Sequence, residues 1–428
     1  MFILVFLLSI KISFQLEIKL NLSNTVPNIT TTIKQSSLFQ KLNISLPLLY
    51  SCFGTPSQCF NMTFETTYYN TFLDGTGDYF RNSFNKTHSQ TFNTTNQSLF
   101  FNYQDNNLKG NFGLDNIIIY NNTQKIKQNE KFAFLLLEEK SESVNKILVD
   151  GIIGLKKNNS LTNNCKVSFL NYFNINSNFS FQFKRNKNNE LEVFFLIDDK
   201  KDNNDNYTPC KNSNKNNNDI DNEWKCKITN ISIDIDVSSN IPIPFNNFAY
   251  FSVINPLIEF PYEIGYFILN RLYEQSENQC EIVKEGNISI FICNKNEIDI
   301  TKFEKIYLYY NNNKTNPIIL NPKNYFEIIN DKYICKIVQN KNINNIILGI
   351  PAFLDNTFIF DLKENMIKIK EHKENYMAYI IIIGIIALLL IIIPILIYIY
   401  ENNKKEKNFN KLDDISNTNN LIEKNYSN

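Results

Sequence analysis

Residues Ile231–Val237 read ISIDIDV, apolar and polar in strict alternation. Side chains leave a strand on opposite faces at every residue, so only a strand gathers such a run onto one buried face. Ser180–Phe183, Leu191–Ile197 and Ile306–Tyr310 share its β-branched and aromatic character. Asn/Asp/Gly/Lys clusters of turn type separate these runs. Helical spacing is sparse; its best instance is Tyr262–Gln275, with Ile264, Phe267, Ile268 and Leu272 on one face. Aromatic residues make up 14% of the chain, which is ample for a core and excludes a wholly disordered protein. Lys+Arg and Asp+Glu are equal at 43 each, so the basic excess of a nucleic-acid binder is missing. The pattern predicts an all-β protein with a few short helices.

Both ends of the chain predict a membrane topology. Residues 1–15, MFILVFLLSIKISFQ, have the brief apolar run of a cleaved signal peptide. Met377–Tyr400 is an apolar run longer than the roughly 20 residues that cross a bilayer. Tyr376, Tyr379, Tyr398 and Tyr400 mark its edges as interfacial aromatics do. Lys404, Lys405 and Lys407 follow, placing the tail, residues 401–428, in the cytoplasm. The expectation is an integral, single-pass type I protein of the secretory pathway or cell-surface membrane, its ectodomain lumenal or extracellular. Between the ends lie a short N-terminal segment (16–43) and two strand-rich regions (44–198 and 223–372). An Asn/Lys/Asp-rich linker or insertion, 199–222, separates them.

In such a compartment the 8 cysteines default to disulfides. Cys52 and Cys59 flank a Gly-Thr-Pro turn, which suggests a bond across a hairpin. Cys165, Cys210, Cys226 and Cys280 leave three pairings open. N-x-S/T sequons at Asn21, Asn28, Asn43, Asn61, Asn85, Asn93 and Asn287 make it a candidate glycoprotein.

Five segments, in order, resemble the pepsin-like aspartic proteases. FGTPSQCFNMTFETTYYNTFL (Phe53–Leu73) is similar to the opening of that family, with Gly54-Thr55-Pro56, Gln58, Phe60, Phe64, Thr66 and Asn70 in register. Tyr103–Asp115 looks like its flap hairpin, with Tyr103 in the place of the flap tyrosine. Val149–Leu155, VDGIIGL, matches the apolar-apolar-Gly strand of the first lobe. Ala249–Pro261 is similar to the second catalytic loop, and the segment from Ile346 to Ile369 to the C-terminal motif. The likeness covers about Ser45–Lys370. It implies a bilobal pepsin-like fold in which Ile152-Ile153-Gly154 and Ile347-Leu348-Gly349 pack beside the two catalytic loops. It also implies a disulfide between Cys293 and Cys335.

The resemblance breaks at the chemistry. The family uses two neighbouring Asp carboxylates that share a proton, one as base on a water and one as acid toward the carbonyl. Here the first position is Glu65, one methylene longer, and a misplacement of about 1 Å can cost 10²-fold. The second is Ser252, which cannot share an acidic proton. The glycines of the two D-T/S-G triplets are replaced by Thr67 and Ile254. With Thr66, Tyr68, Val253 and Asn255, these residues form the cleft loops and predict a bulkier, more apolar floor. Glu259 lies seven residues beyond Ser252 at a variable position of the family and is not read as a substitute acid. His88 and His372 are the 2 histidines and read as solvated surface residues, so Ser252 has no base. No metal-ligand spacing and no cofactor motif is present.

The expectation is therefore a pseudoprotease whose residual cleft, capped by Tyr103, holds a peptide or protein ligand. Two rivals stand beside it: an active endopeptidase working through Glu65, and a structural surface glycoprotein that reuses the scaffold.

Overall fold

The computed structural model describes residues 15–23, 46–103, 106–121, 124–138, 149–156, 169–172, 178–187, 190–198, 207–210, 223–233, 247–310, 313–370, 384 and 388–400. Residues Met1–Glu371 and His372–Asn428 are two separate units.

Alternation and β-branching in the first unit resolve into strands. They are β1 (Gln15–Ser23), β2 (Leu46–Phe53), β3 (Gln58–Glu65), β4 (Phe72–Asp74), β5 (Asn93–Tyr103), β6 (Asn106–Asn121), β7 (Gln124–Leu137), β8 (Gly151–Gly154), β9 (Asn178–Arg185), β10 (Leu191–Asp198) and β11 (Tyr207–Cys210). There follow β12 (Lys225–Ile233), β13 (Phe248–Phe251), β14 (Ile258–Pro261), β15 (Cys280–Glu285), β16 (Ile288–Asn294), β17 (Ile306–Tyr310), β18 (Asn313–Leu320), β19 (Phe326–Ile329), β20 (Lys332–Asn340), β21 (Ile346–Leu348), β22 (Phe358–Asp361) and β23 (Met366–Lys370).

A 13-stranded sheet runs β11-β23-β22-β9-β10-β1-β2-β3-β8-β4-β7-β6-β5. Because β2 also pairs with β6, through Ser51↔Ile119 to Phe53↔Ile117, the strands from β2 to β6 close into a barrel. Closure removes the unpaired edges that an open sheet would present. Inside it Phe53, Phe60, Phe84 and Phe134 pack edge to face. The 10-stranded sheet runs β15-β16-β20-β14-β21-β13-β12-β17-β18, with β19 on β20. Phe251 on β13 of this sheet packs against Phe358 on β22 of the 13-stranded sheet, which packs in turn on Phe353, with centroids 4.8 and 4.9 Å apart.

Ile231 and Ile233 of the alternating run are buried as expected, but so is Ser232, so β12 is covered on both faces; residues 234–237 lie outside the described residues. The helix Tyr262–Gln275 buries Ile264, Gly265, Ile268, Leu269 and Leu272, whereas Phe267 is 51% exposed. Its face is rotated toward Gly265, where a Cβ would come within 2.8 Å of the Gln339 backbone. Among the described residues the other helices of this unit are short: Phe169–Tyr172, Pro322–Tyr325, Ile350–Asp355 and the 3-10 helix Ile300–Lys302.

Several expectations are corrected. The described chain is mostly β-strand with a barrel and few helices, and no helix among the described residues is long and apolar enough to cross a membrane. This overturns the bilobal pepsin-like fold with a transmembrane helix. The integral membrane partner, the type I orientation and the secretory or cell-surface membrane location fall with the span. The first residues of Met377–Tyr400, and the tail, lie outside the described residues, as do residues 1–14 of the signal peptide. Gln15–Ser23 is not a segment ahead of the fold but strand β1, paired with β10 and β2. Within the polar stretch 199–222, Tyr207–Cys210 pairs with β23.

Among the described residues three disulfides are formed: Cys52–Cys59, as suggested across the β2–β3 hairpin, Cys210–Cys226 and Cys280–Cys293. The Cys293–Cys335 bond is therefore not made. The reason is register. In the β15–β16 hairpin Cys280 stands directly opposite Cys293, whereas on β20 it is Tyr333 that faces Cys293 and Cys335 faces Phe326. Cys335 is a buried free thiol, pushed up to about 12 by that burial; Cys165 lies outside the described residues. Peptide mapping without reductant is expected to recover Cys280 linked to Cys293, and Cys335 alkylated only after denaturation. Alkylation of Cys335 in the native protein would contradict this.

Candidate functional site

Glu65 closes β3, a strand whose last residues Met62, Thr63 and Phe64 are all buried. β3 lies parallel to β8, so Glu65 pairs with Gly154. The Leu155 N–H donates to the Glu65 carbonyl at 2.8 Å, and the chain turns at Thr66. A Cβ on Gly154 would sit 2.4 Å from the Asn70 carbonyl, so only glycine lets this strand lie beside the turn. The arrangement recurs in the second sheet. β13 lies parallel to β21, and the Ser252 N–H donates to the Leu348 carbonyl at 2.9 Å. Gly349 follows, where a Cβ would come within 2.2 Å of the Asn255 carbonyl.

The two turns meet. Thr66, fully buried, donates its hydroxyl to the Phe251 carbonyl, immediately before Ser252. Glu65 and Ser252 are themselves only 4% and 8% exposed. The Glu65 Oε1 accepts hydrogen bonds from the Thr67 N–H at 3.1 Å and the Thr67 hydroxyl at 3.0 Å. Burial without a cation outweighs these bonds and raises the carboxyl from 4.5 to about 7. Such an acid carries its proton across the acidic range and gives it up through neutrality.

Around this centre Val253, Ile254 and Asn255 are buried, Tyr68 is half-buried against the Phe72 ring at 5.8 Å, and Thr67 is exposed. Neither Thr67 nor Ile254 has a left-handed backbone, so both turns take β-branched residues where the family's motif has glycine. Tyr103 ends β5 with its backbone opposite Asn106 at the hairpin tip; its side chain lies outside the described residues. His88 is exposed, as expected, and His372 lies outside the described residues.

Glu259 is the residue that sequence reasoning undervalued. It is 1% exposed and accepts from the Asn255 amide at 2.7 Å and the Asn340 amide at 2.6 Å. Burial raises its carboxyl above the ordinary range, with Asn340 and Asn255 opposing the shift. A signal was available: it is the one acid in the apolar run Leu257-Ile258-Glu259-Phe260. Both its oxygens are occupied by amides, so it contacts the Ser252 turn without offering a second free acid. No family model and no curated protein matches this chain.

Proposed function

We propose that this chain is a catalytically degenerate homologue of the pepsin-like aspartic proteases that holds an extended peptide, or a strand of a protein partner, at the Glu65–Ser252 site without cleaving it. The observation that carries the reading is the Thr66 hydrogen bond to the Phe251 carbonyl, which sets the Glu65 turn against the strand ending at Ser252. Hydrolysis by that family's route needs two acids sharing one proton, so that water is deprotonated as the carbonyl is protonated. Ser252 supplies neither a base nor an acid of suitable strength. A protonated Glu65, whose carboxyl already accepts from Thr67 and from the Thr66 backbone, still has one O–H to donate to a peptide carbonyl.

The reading makes binding pH-dependent. Fluorescence polarisation with a labelled octapeptide library is expected to detect binding at pH 5 that weakens above about pH 7, as Glu65 loses its proton. Glu65→Gln, which keeps an amide donor at every pH, should bind without that dependence. Absence of binding at pH 5 and pH 8.5 alike would refute the reading. Glu65-dependent cleavage products would establish an active endopeptidase instead.

A further inference from the structure

The turn carrying Ser252 is tied to the sheet by a carboxylate that peptide binding itself does not use. Glu259 sits in β14, which is hydrogen-bonded on both sides, parallel to β20 at Val338 and antiparallel to β21 at Ile347. A side chain on a strand fixed from both edges is a firm anchor point. Its two oxygens each take one amide, from Asn255 in the turn and from Asn340 on β20.

The amides cannot turn over. The Asn255 Oδ1 already accepts from the Leu257 N–H at 2.9 Å, and the Asn340 Oδ1 from the Asn342 N–H at 2.9 Å. Flipping either amide would orphan a backbone N–H, so each presents only a donor to Glu259. The acceptor between them must be double, which a carboxylate is and an amide is not. Among the described residues no cation shares the site: β21 and the stretch Ile337–Asn340 carry no ionisable side chain. The charged groups on the neighbouring helix Tyr262–Gln275 are committed or outside, with Arg271 on Glu274 and Glu263 exposed. The nearby helix Ile350–Asp355 holds only Asp355, taken by Asn321 and Asn324. An acid buried without a cation is costly, and an apolar residue would serve stability better.

We infer that Glu259 is the positioning residue of the candidate site: by gripping the Asn255 amide it fixes the turn 252–255 against β20 and so holds Ser252 in place. This rests on the peptide-binding reading only for its functional consequence. The turn is clamped from below as well, since the Ile350 N–H donates to the Asn255 carbonyl at 2.8 Å. Glu259 supplies the lateral grip.

The test reverses the polarity of the pair. Glu259→Gln brings one donor against two donors, so one bond must break. In Asn255→Asp/Glu259→Gln the new amide donates to the new carboxylate, whose second oxygen still accepts the Leu257 N–H, while Asn340 keeps its acceptor. Amide hydrogen exchange at Leu257 and Ile350 is expected to quicken about tenfold in Glu259→Gln, with exchange in the barrel strands unchanged, and to return to the parent rate in the double variant. Affinity for the octapeptide library at pH 5 should fall and recover in step. Unchanged exchange in the single variant, a rise spread evenly over the chain, or no recovery in the double variant would overturn the assignment. If the single variant fails to fold, recovery of folding and protection in the double variant supports it, and failure of both refutes it. If the parent protein binds no peptide, the proposed function fails, while exchange still decides the role of Glu259.

Discussion

Deletion of residues 1–23 is expected to leave a chain that does not fold. In the 13-stranded order β1 stands between β10 and β2, and among the described residues no other strand pairing joins the portion from β11 to β10 with the portion from β2 to β5. Six residue pairs tie β1 to β10, from Gln15↔Asp198 to Leu20↔Val193, and Asn21↔Leu48 begins the pairing with β2. Removing it strips a row of backbone partners from two strands and exposes the core that Ile18 and Leu20 cover, at 1% and 3% exposure. Ile18→Ala and Leu20→Ala should each cost about 2–5 kcal/mol, a large part of the roughly 5–15 kcal/mol that holds a domain together. Ile18→Asp adds an unpaired buried charge and should unfold the protein outright. Lys19→Ala is the control. Its ion pair with Glu192 is 2.7 Å long but lies at the surface, and its loss should cost less than about 1 kcal/mol. Far-UV circular dichroism and thermal melts read all of these. A deletion variant melting with the parent would remove β1 from the core.

That β1 belongs to the sheet could not be read from its own residues, because QLEIKLNLS alternates well enough for a strand but names no partner. Local pattern was informative where the physics is local. Alternation and β-branching found the strands; the placing of Gly154 and Gly349 beside the two turns came from the resemblance, and both stand where backbone passes against backbone. The Cys52–Cys59 bond followed from a hairpin visible in the sequence. The same logic, applied to Gly286-Asn287, would have found the second hairpin. This two-residue turn, with Gly286 at φ 61°, sets Cys280 opposite Cys293. The expected Cys293–Cys335 bond came instead from resemblance, and register overrode it. Glu259 was opaque for another reason. Its partners Asn255 and Asn340 are brought together by β14 lying between β20 and β21, and no single segment contains that pairing. The apolar run near the C-terminus shows the reverse error, since hydropathy counts residues without establishing a helix, and among the described residues no helix is long and apolar enough to cross a membrane.

The pH profile of stability gives the second large effect, and its sign follows from Glu65. In the unfolded chain this carboxyl titrates at its ordinary 4.5; in the fold burial moves it to about 7. Between these values the folded state holds a proton that the unfolded state has lost, so stability falls as pH rises. The contribution is fully present below pH 4.5 and is lost as pH climbs through about 7. At about 1.36 kcal/mol per pH unit, the ionised fold is less stable by roughly 3 kcal/mol. Glu259 and Asp355, also raised by burial, slope the same way, whereas Glu138, held down by Lys86 and Asn111, slopes against them. Comparison with Glu65→Gln isolates the Glu65 share. The variant should match the parent near pH 4 and exceed it by up to about 3 kcal/mol at pH 8, measured by urea unfolding at both pH values. An equal shift at both would mean that the substitution acts through packing alone, and a deficit at pH 8 would mean that Glu65 is ionised in the fold. The latter result would also remove the donor that the peptide-binding reading requires, because one buried proton serves both. An acid sealed away from cations costs the fold stability as it ionises, and only its protonated form carries the O–H that the proposed peptide binding requires.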